Sequence, residues 1–224
     1  MRNFVTGTTV VSLRYRDGVI MGADTKGSYG RLAKYTGLQR IFKMGDQTLI
    51  GVSGEISDMQ YLKKALETLT EEDPRRIDAY GYYKMTQRIM YSARSRMSPL
   101  NLSVCVGGVD SVCTAEGLNN QKTLGCVDHL GNFYFSNVVC TGIGAHLVLP
   151  LLRSKVDGRE DEITREEGIS LVEEAMRILF YRDCGASNEI QVGYADAQDA
   201  HISDAYRIQT NWDIALREDE IVIE

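Results

Sequence analysis

Chemistry in this chain is limited first by the spacing of its reactive residues. Metal or redox work needs clustered thiols and imidazoles. The cysteines, Cys105, Cys113, Cys126, Cys140 and Cys184, contain no C-x-x-C pair. His129, His146 and His201 lie at no zinc-ligand spacing from them or from one another. The cysteine count is odd, and several sit in strand-like runs such as Ser103-Val104-Cys105-Val106. They read as free, buried thiols of a reducing compartment. Gly142-Ile143-Gly144 offers two glycines for a phosphate, but no third glycine follows at the dinucleotide-loop spacing. Asp213 and the run Glu218-Asp219-Glu220 read as a solvated acidic tail before they read as paired catalytic carboxylates. The densest basic stretch, Arg88, Arg94 and Arg96 around Met90 and Tyr91, reads as a solvated or partner-facing helix surface. No metal or cofactor is expected.

Composition narrows the class further. The net charge is -6 with both signs interspersed, which argues against nucleic acid or anionic membrane as the main partner. Hydrophobic residues make up 43% and charged residues 25%, enough for a sizeable core and too apolar for disorder. No apolar run approaches the ~18 residues of a membrane span. Met1-Arg2-Asn3-Phe4-Val5-Thr6 has no apolar signal core, so a soluble intracellular protein is expected.

The elements that must position any site alternate in blocks. Residues 8–15 read as a strand, Asp17-Gly18 as a turn and Val19-Ile20-Met21-Gly22-Ala23 as a buried strand. Residues 40–44, a Gly45-Asp46 turn and residues 48–52 read as a second hairpin, so the first fifty residues predict an antiparallel meander. Ile56, Met59, Leu62, Ala65, Leu66 and Leu69 recur at helical spacing ahead of Pro74. Ala79, Tyr83, Thr86, Met90, Ala93 and Met97 form a second stripe ahead of Pro99. Strands are predicted over 102–109, 123–127 and 132–135, and a helix over 145–155. Thr164-Arg165-Glu166-Glu167 is a capping-box pattern opening a helix through Tyr181, whose buried face is Val172, Ala175, Met176 and Leu179. Strands over 189–194 and 201–207 end the order. Strands, two helices, strands, two helices and strands suggest stacked layers of helices, sheet, sheet and helices.

Gly7-Thr8-Thr9, followed by Gly18-Val19-Ile20-Met21-Gly22-Ala23-Asp24, resembles a proteasome β subunit. Tyr181-Arg182-Asp183 at the end of the long helix extends the resemblance over the chain. Gly27-Ser28-Tyr29-Gly30, Met90-Tyr91-Ser92, Arg96-Met97-Ser98-Pro99-Leu100 and Asn211-Trp212-Asp213-Ile214-Ala215 are similar to the inactive seventh β position of the eukaryotic 20S core. The resemblance implies an α+β fold, the four-layer αββα sandwich of the N-terminal-nucleophile hydrolase type, with two stacked antiparallel sheets flanked by helices. It implies a domain over 1–210 and a tail over 211–224 that contacts neighbouring β subunits, with Trp212, Ile214 and Leu216 as interface residues. The implied partners are other β and α subunits in seven-membered rings stacked α-β-β-α, and regulatory particles indirectly. The implied setting is protein degradation, of ubiquitinated proteins among others, in cytoplasm and nucleus.

In that family a freed N-terminal threonine attacks a peptide carbonyl, and its own α-amine or a held water takes the proton. A lysine tunes the transfer, an aspartate orients the lysine, and a backbone N–H stabilises the oxyanion. By resemblance Thr8 matches the nucleophile, with Gly7 before it at the self-cleavage junction. Asp24 matches the orienting aspartate and Asp183 a supporting one. Gly54 matches the oxyanion glycine, with Glu55 where a second glycine is usual. Three positions depart from the pattern: the lysine is Arg40, and two serines are Ile143 and Ala186. A guanidinium does not shuttle protons, because it stays protonated across the working pH range. Ile143 and Ala186 lack the hydroxyls that would hold the amine and its water. An uncut Gly7–Thr8 bond would leave an amide in place of the base. The expectation is therefore a degenerate, non-catalytic site, with Asp24, Arg40 and Asp183 as a buried ion-pair group. The alternatives are an active threonine peptidase that tolerates arginine, or an unrelated β-rich binding domain.

Overall fold

The computed structural model describes residues 4–71, 77–114 and 117–212, with 111–114 and 117–120 by backbone alone. The strands before the first helix are β1 (Val5–Gly7), β2 (Val10–Tyr15), β3 (Gly18–Asp24), β4 (Gly27–Tyr29), β5 (Leu32–Tyr35), β6 (Ile41–Met44) and β7 (Thr48–Glu55). Helices α1 (Ile56–Glu71) and α2 (Ala79–Ser95) follow, then β8 (Leu102–Thr114), β9 (Gly117–Val127), β10 (Phe133–Phe135) and β11 (Val138–Cys140). The last elements are α3 (Gly144–Leu147), α4 (Leu149–Val156), α5 (Arg165–Arg182), β12 (Glu189–Asp196), β13 (Ala200–Ile202) and β14 (Tyr206–Arg207).

Every residue of β3 is buried, so its sheet needs cover on both faces. The cover is a second sheet on one side and helices on the other. The first sheet runs β10-β9-β8-β7-β1-β4-β5, with β6 also on β7; the second runs β11-β2-β3-β12-β13, with β14 also on β12. Three cores separate the four layers. Leu62, Leu66, Tyr83 and Met90 pack α1 and α2 onto Val104 and Val106 of the first sheet. Val10, Met21, Leu49 and Leu124 fill the space between the sheets. Leu13, Ile20, Val172, Met176 and Leu179 join the second sheet to α5. Burying one such leucine contributes roughly 1.5–3 kcal/mol, so these stripes, rather than helix propensity, hold the layers. This is the αββα sandwich that the element order predicts.

Several local expectations are corrected. The first fifty residues are not one meander. β2 and β3 belong to the second sheet, while β1, β4, β5, β6 and β7 belong to the first. Thr8 and Thr9 lie outside any strand and carry the chain from one sheet to the other. The first hairpin turns at Arg16-Asp17, with Tyr15 paired to Gly18. Gly18 is needed for close approach and not for a positive φ: a Cβ there would strike the Ala195 carbonyl. Gly45 does take the positive φ, 60°, that its turn requires.

The helix over 145–155 is two helices, because Pro150 in the first turn of α4 supplies no N–H to continue α3. The last strand is split into β13 and β14. Only half of the capping box forms. Thr164 accepts from the Glu167 N–H at 3.3 Å, while the Glu167 carboxylate turns to Arg159 at 3.4 Å. Leu69 and Met97 are exposed: Leu69 faces away from the sheets, and Met97 lies past the end of α2. Cys105, Cys126 and Cys140 are free and buried, but Cys184 is exposed in the turn after α5; the Cys113 side chain lies outside the described residues.

Among the described residues no helix is long and apolar enough to cross a membrane, and no His/Cys/Asp/Glu group could hold a metal.

Candidate functional site

The site lies where the chain crosses between the sheets. Along one edge of β7, residues 48–51 pair with β6 and residues 54–55 pair with β1. Arg40, just before β6, sits at the fork between them. Its side chain is fully buried, so each of its five N–H groups needs an acceptor. Each finds one. Nε–H donates to the Asp24 carbonyl at 3.0 Å, and Nη1 to the carbonyls of Thr8 at 3.0 Å and Val52 at 3.5 Å. Nη2 donates to the Thr9 carbonyl at 3.2 Å and to Asp24 Oδ1. One guanidinium thus ties β7 of the first sheet, the Thr8-Thr9 crossing and β3 of the second. Gly7 makes the room, because a Cβ there would strike Arg40 Cδ.

Asp24 ends β3, and its side chain has no exposure. Oδ1 accepts from Thr8 Oγ1 at 3.1 Å as well as from Arg40, and Oδ2 accepts from the Lys26 N–H at 3.3 Å. Burial pushes the Asp24 carboxyl above its ordinary value; the Arg40 charge and these hydrogen bonds pull it back. Thr8 is half-buried on top of this pair. Among the described residues its hydroxyl meets no imidazole and no amine. A threonine oxygen becomes a nucleophile only when a base takes its proton. The one hydrogen-bonded candidate, Asp24, is committed to Arg40.

The remaining expected residues surround Thr8 without completing a relay. Gly54 has φ 111°, and a Cβ there would strike the Asn101 carbonyl, so the backbone requires glycine whatever its N–H does. Ile143 stands 46% exposed at the rim. Its loop docks on the neighbouring threonine, with Gly144 N–H donating to Thr9 Oγ1 at 3.1 Å. Ala186 is buried in the core between sheet and α5. Asp183 is half-exposed and stands outside the buried ion pair; it accepts from the Gly185 N–H at 2.8 Å. A Cβ on Gly185 would strike Thr8 Cγ2.

Thr8, Gly54, Ile143 and Asp183 line one cleft of about 510 Å³, with Asp24 and Arg40 beneath it. Sequence reasoning missed other parts of its wall, Ser53, Asn101, Leu102, Ser103 and His129 among them. It also missed Lys26, whose Nζ donates to the Cys184 carbonyl at 3.0 Å and the Ala186 carbonyl at 3.4 Å. Lys26 was findable as a lysine two residues beyond Asp24; the walls carry no spacing signal. Trp212 packs edge-on to Tyr181 at 4.9 Å and Phe180 at 5.7 Å but stays 56% exposed. Ile214 and Leu216 lie outside the described residues.

A threonine at the crossing of two stacked antiparallel sheets, in an αββα sandwich, marks the N-terminal-nucleophile hydrolase fold. The proteasome subunit family model matches residues 4–195, and the chain belongs to the proteasome β-subunit family. Within it, the chain is 73% identical over 226 residues to the probable proteasome subunit beta type-7 of Encephalitozoon cuniculi, covering 100% of each. It is 37% identical to proteasome subunit beta type-7 of Saccharomyces cerevisiae, over 86% of this chain and 74% of that one. It is 34% identical to proteasome subunit beta type-4 of Xenopus laevis, over 94% of this chain and 86% of that one.

Proposed function

We propose that this chain is a non-catalytic β subunit of the 20S core. It fills the seventh position of the β ring in cytoplasm and nucleus, shapes the chamber around active neighbours and helps to join the two β rings through residues 211–224. Arg40 carries the reading. Its guanidinium is saturated by four backbone carbonyls and Asp24, so it acts as a rivet between the sheets. β1 supports the same reading. The residues that activation would release form a strand paired on both sides, with Thr6 opposite Ser28 and Glu55, and Gly7 opposite Gly54. Releasing them would open a gap between β4 and β7.

The competing reading, an active threonine peptidase with Thr8 as nucleophile, draws on the Thr8–Asp24 hydrogen bond. Mass spectrometry of the assembled core separates the two. A chain still joined across Gly7–Thr8, and free of adduct after treatment with an epoxyketone, is expected. Cleavage at that bond or an adduct on Thr8 overturns the proposal.

A further inference from the structure

Cys105 of β8 and Cys126 of β9 take no part in the Thr8 cleft. They stand directly opposite one another in the first sheet. Both side chains enter the core between the sheets, with Met21 and Leu124, and both are free thiols. Cys105 is 0% and Cys126 6% exposed. Among the described residues the third buried thiol, Cys140, belongs to the core on the α5 side of the second sheet.

The ladder sets how close the two sulfurs can come. Opposed residues of antiparallel strands alternate between pairs that exchange hydrogen bonds and pairs that do not, and the second kind brings its Cα atoms to about 4.5 Å. On β9, the Leu124 carbonyl accepts from the Ser136 N–H at 3.2 Å, and the Asp128 N–H donates to the Asn132 carbonyl at 3.0 Å. Even-numbered residues of β9 therefore turn their backbone toward β10. On β8, the Val109 N–H donates to the Gln47 carbonyl at 3.2 Å, so odd-numbered residues turn theirs toward β7. Cys105 and Cys126 are thus a pair of the second, closer kind. A disulfide spans Cα atoms about 4.4–6.8 Å apart, so a bond between the sulfurs fits this register with the strands in place.

Their surroundings give the pair an order of reaction. Hydrogen bonding between the two thiols pushes Cys105 well above its ordinary value and draws Cys126 below it; burial adds to the first effect and opposes the second. Cys126 is therefore the more thiolate-like of the two, and the one that solvent touches. Tyr134, opposite Cys126 on the edge strand β10, is 46% exposed and reaches the same sulfur, which marks the way in. Behind them the fully buried Ser12 hydroxyl, with no close hydrogen-bond partner among the described residues, faces Cys105 and favours its thiolate.

We propose that Cys105 and Cys126 form an oxidation site, a thiol pair that a peroxide converts to a disulfide across β8 and β9. The Cys126 sulfur attacks one peroxide oxygen. The O–O bond breaks, the other oxygen leaves as water, and Cys126 becomes a sulfenic acid. The Cys105 sulfur then displaces that hydroxyl, which leaves as a second water with the Cys105 proton as the S–S bond forms. The two sulfurs give up two electrons, and one hydrogen peroxide becomes two waters. Because the register holds Cys105 in place, it captures the sulfenic acid before a second peroxide carries Cys126 to the sulfinic acid. In a reducing compartment such a bond is transient and follows the peroxide level.

The test uses the chain purified through its own tag, in the assembly it brings with it. The sample is treated with graded hydrogen peroxide, its free thiols are blocked with N-ethylmaleimide in denaturant, and its peptides are mapped by mass spectrometry. The Cys105 and Cys126 peptides should appear joined, two hydrogens lighter than their sum, and should separate on reduction with dithiothreitol. Cys140→Ala should leave that link unchanged. Cys105→Ala should abolish it and raise dimedone labelling of a Cys126 sulfenic acid about tenfold. Should that variant fail to fold, the map of the unmodified chain decides alone. Cys105 and Cys126 that both still take N-ethylmaleimide at doses that oxidise the exposed Cys184 overturn the inference. So does Cys126 joined to Cys113, Cys140 or glutathione, or carried to the sulfinic acid with no link formed.

Discussion

Two regions of this subunit hold arginines and use them in opposite ways. Beneath Thr8, Arg40 has no contact with water, and all its donors are matched. On the α1–α2 face, Arg88 and Arg96 stand in water and pair with no carboxylate among the described residues. Burial explains the first. A charge taken out of water is tolerated only when it is paired and hydrogen-bonded, so the fold closes around it. Solvation explains the second, since water satisfies an exposed guanidinium. The same residue type is therefore architecture in one place and solvated surface in the other, and substitution should tell them apart.

The largest effect belongs to Arg40→Ala, which strands the Asp24 carboxylate and four carbonyls. It should destabilise the subunit by about 3–5 kcal/mol, read as a fall in the urea midpoint or, if folding fails, in soluble yield. Arg88→Ala should stay within about 0.5 kcal/mol. Equal losses would break the comparison. Arg40→Lys offers three donors to five acceptors and should cost roughly 1–3 kcal/mol without creating peptidase activity. A substantial gain of activity from that one change would show that the rivet, and nothing else, silences Thr8. Gly7→Ala probes the same contact from the other side. Its methyl would strike Arg40 Cδ, and a loss of about 1–3 kcal/mol is expected in the same denaturation experiment.

How much of this was legible in the sequence depended on the kind of pattern involved. The stripes of α1, α2 and α5 were readable because helical burial repeats over several turns. β1, β4 and β11 were not: three residues alone show no alternation, and β10, equally short, was readable only beside the Asp128-His129-Leu130-Gly131 turn before it. The outer arms of β8 and β9 were missed for another reason. They continue to Thr114 and begin at Gly117, through Asn119, Asn120 and Gln121, which carry no apolar signal. Of the residues named by resemblance to a threonine-hydrolase site, Thr8, Gly54, Ile143 and Asp183 line one cleft with Asp24 and Arg40 beneath it, while Ala186 lies in the core behind. The role of Arg40 was not legible, because four of its five acceptors are backbone carbonyls and no side-chain motif records them. Asp183 could be placed near Thr8 but not excluded from the ion pair, since that depends on the turn geometry that gives its carboxylate to Gly185.

A smaller effect is expected where the chain leaves α5. Tyr181 Oη both accepts from the Asn211 N–H at 2.6 Å and donates to its carbonyl at 3.0 Å, and Trp212 rests on the adjacent rings. Half of the indole remains open, as an anchor awaiting a second surface would be. Removing residues 211–224 should leave the fold intact and shift particles from full cores to half-cores on a native gel. Trp212→Ala, losing ring contacts of about 0.5–1.5 kcal/mol, should give a milder shift. An unchanged ratio, or a deletion variant that unfolds, would assign the segment to its own domain.

The smallest effect tests the α2 face from within. α2 ends in a paired C-terminal motif, with Met97 N–H donating to the Arg94 carbonyl and Ser98 N–H to the Ala93 carbonyl, each at 3.1 Å. Glycine is the usual residue at the left-handed position of that motif. Here it is Met97, at φ 57° and 93% exposed. The side chain strains the backbone and buries nothing in its own domain. Met97→Gly should therefore stabilise the isolated subunit by about 0.5–1 kcal/mol, seen as a small rise in urea midpoint. If the methionine is kept for a partner, the same variant should enter full cores less well. Higher stability with poorer assembly would mark the end of α2 as a subunit contact. Higher stability with unchanged assembly would show that Met97 serves no partner. A loss of stability would show that the exposed side chain holds its own helix end, and the contrast with Arg40 would weaken at that point.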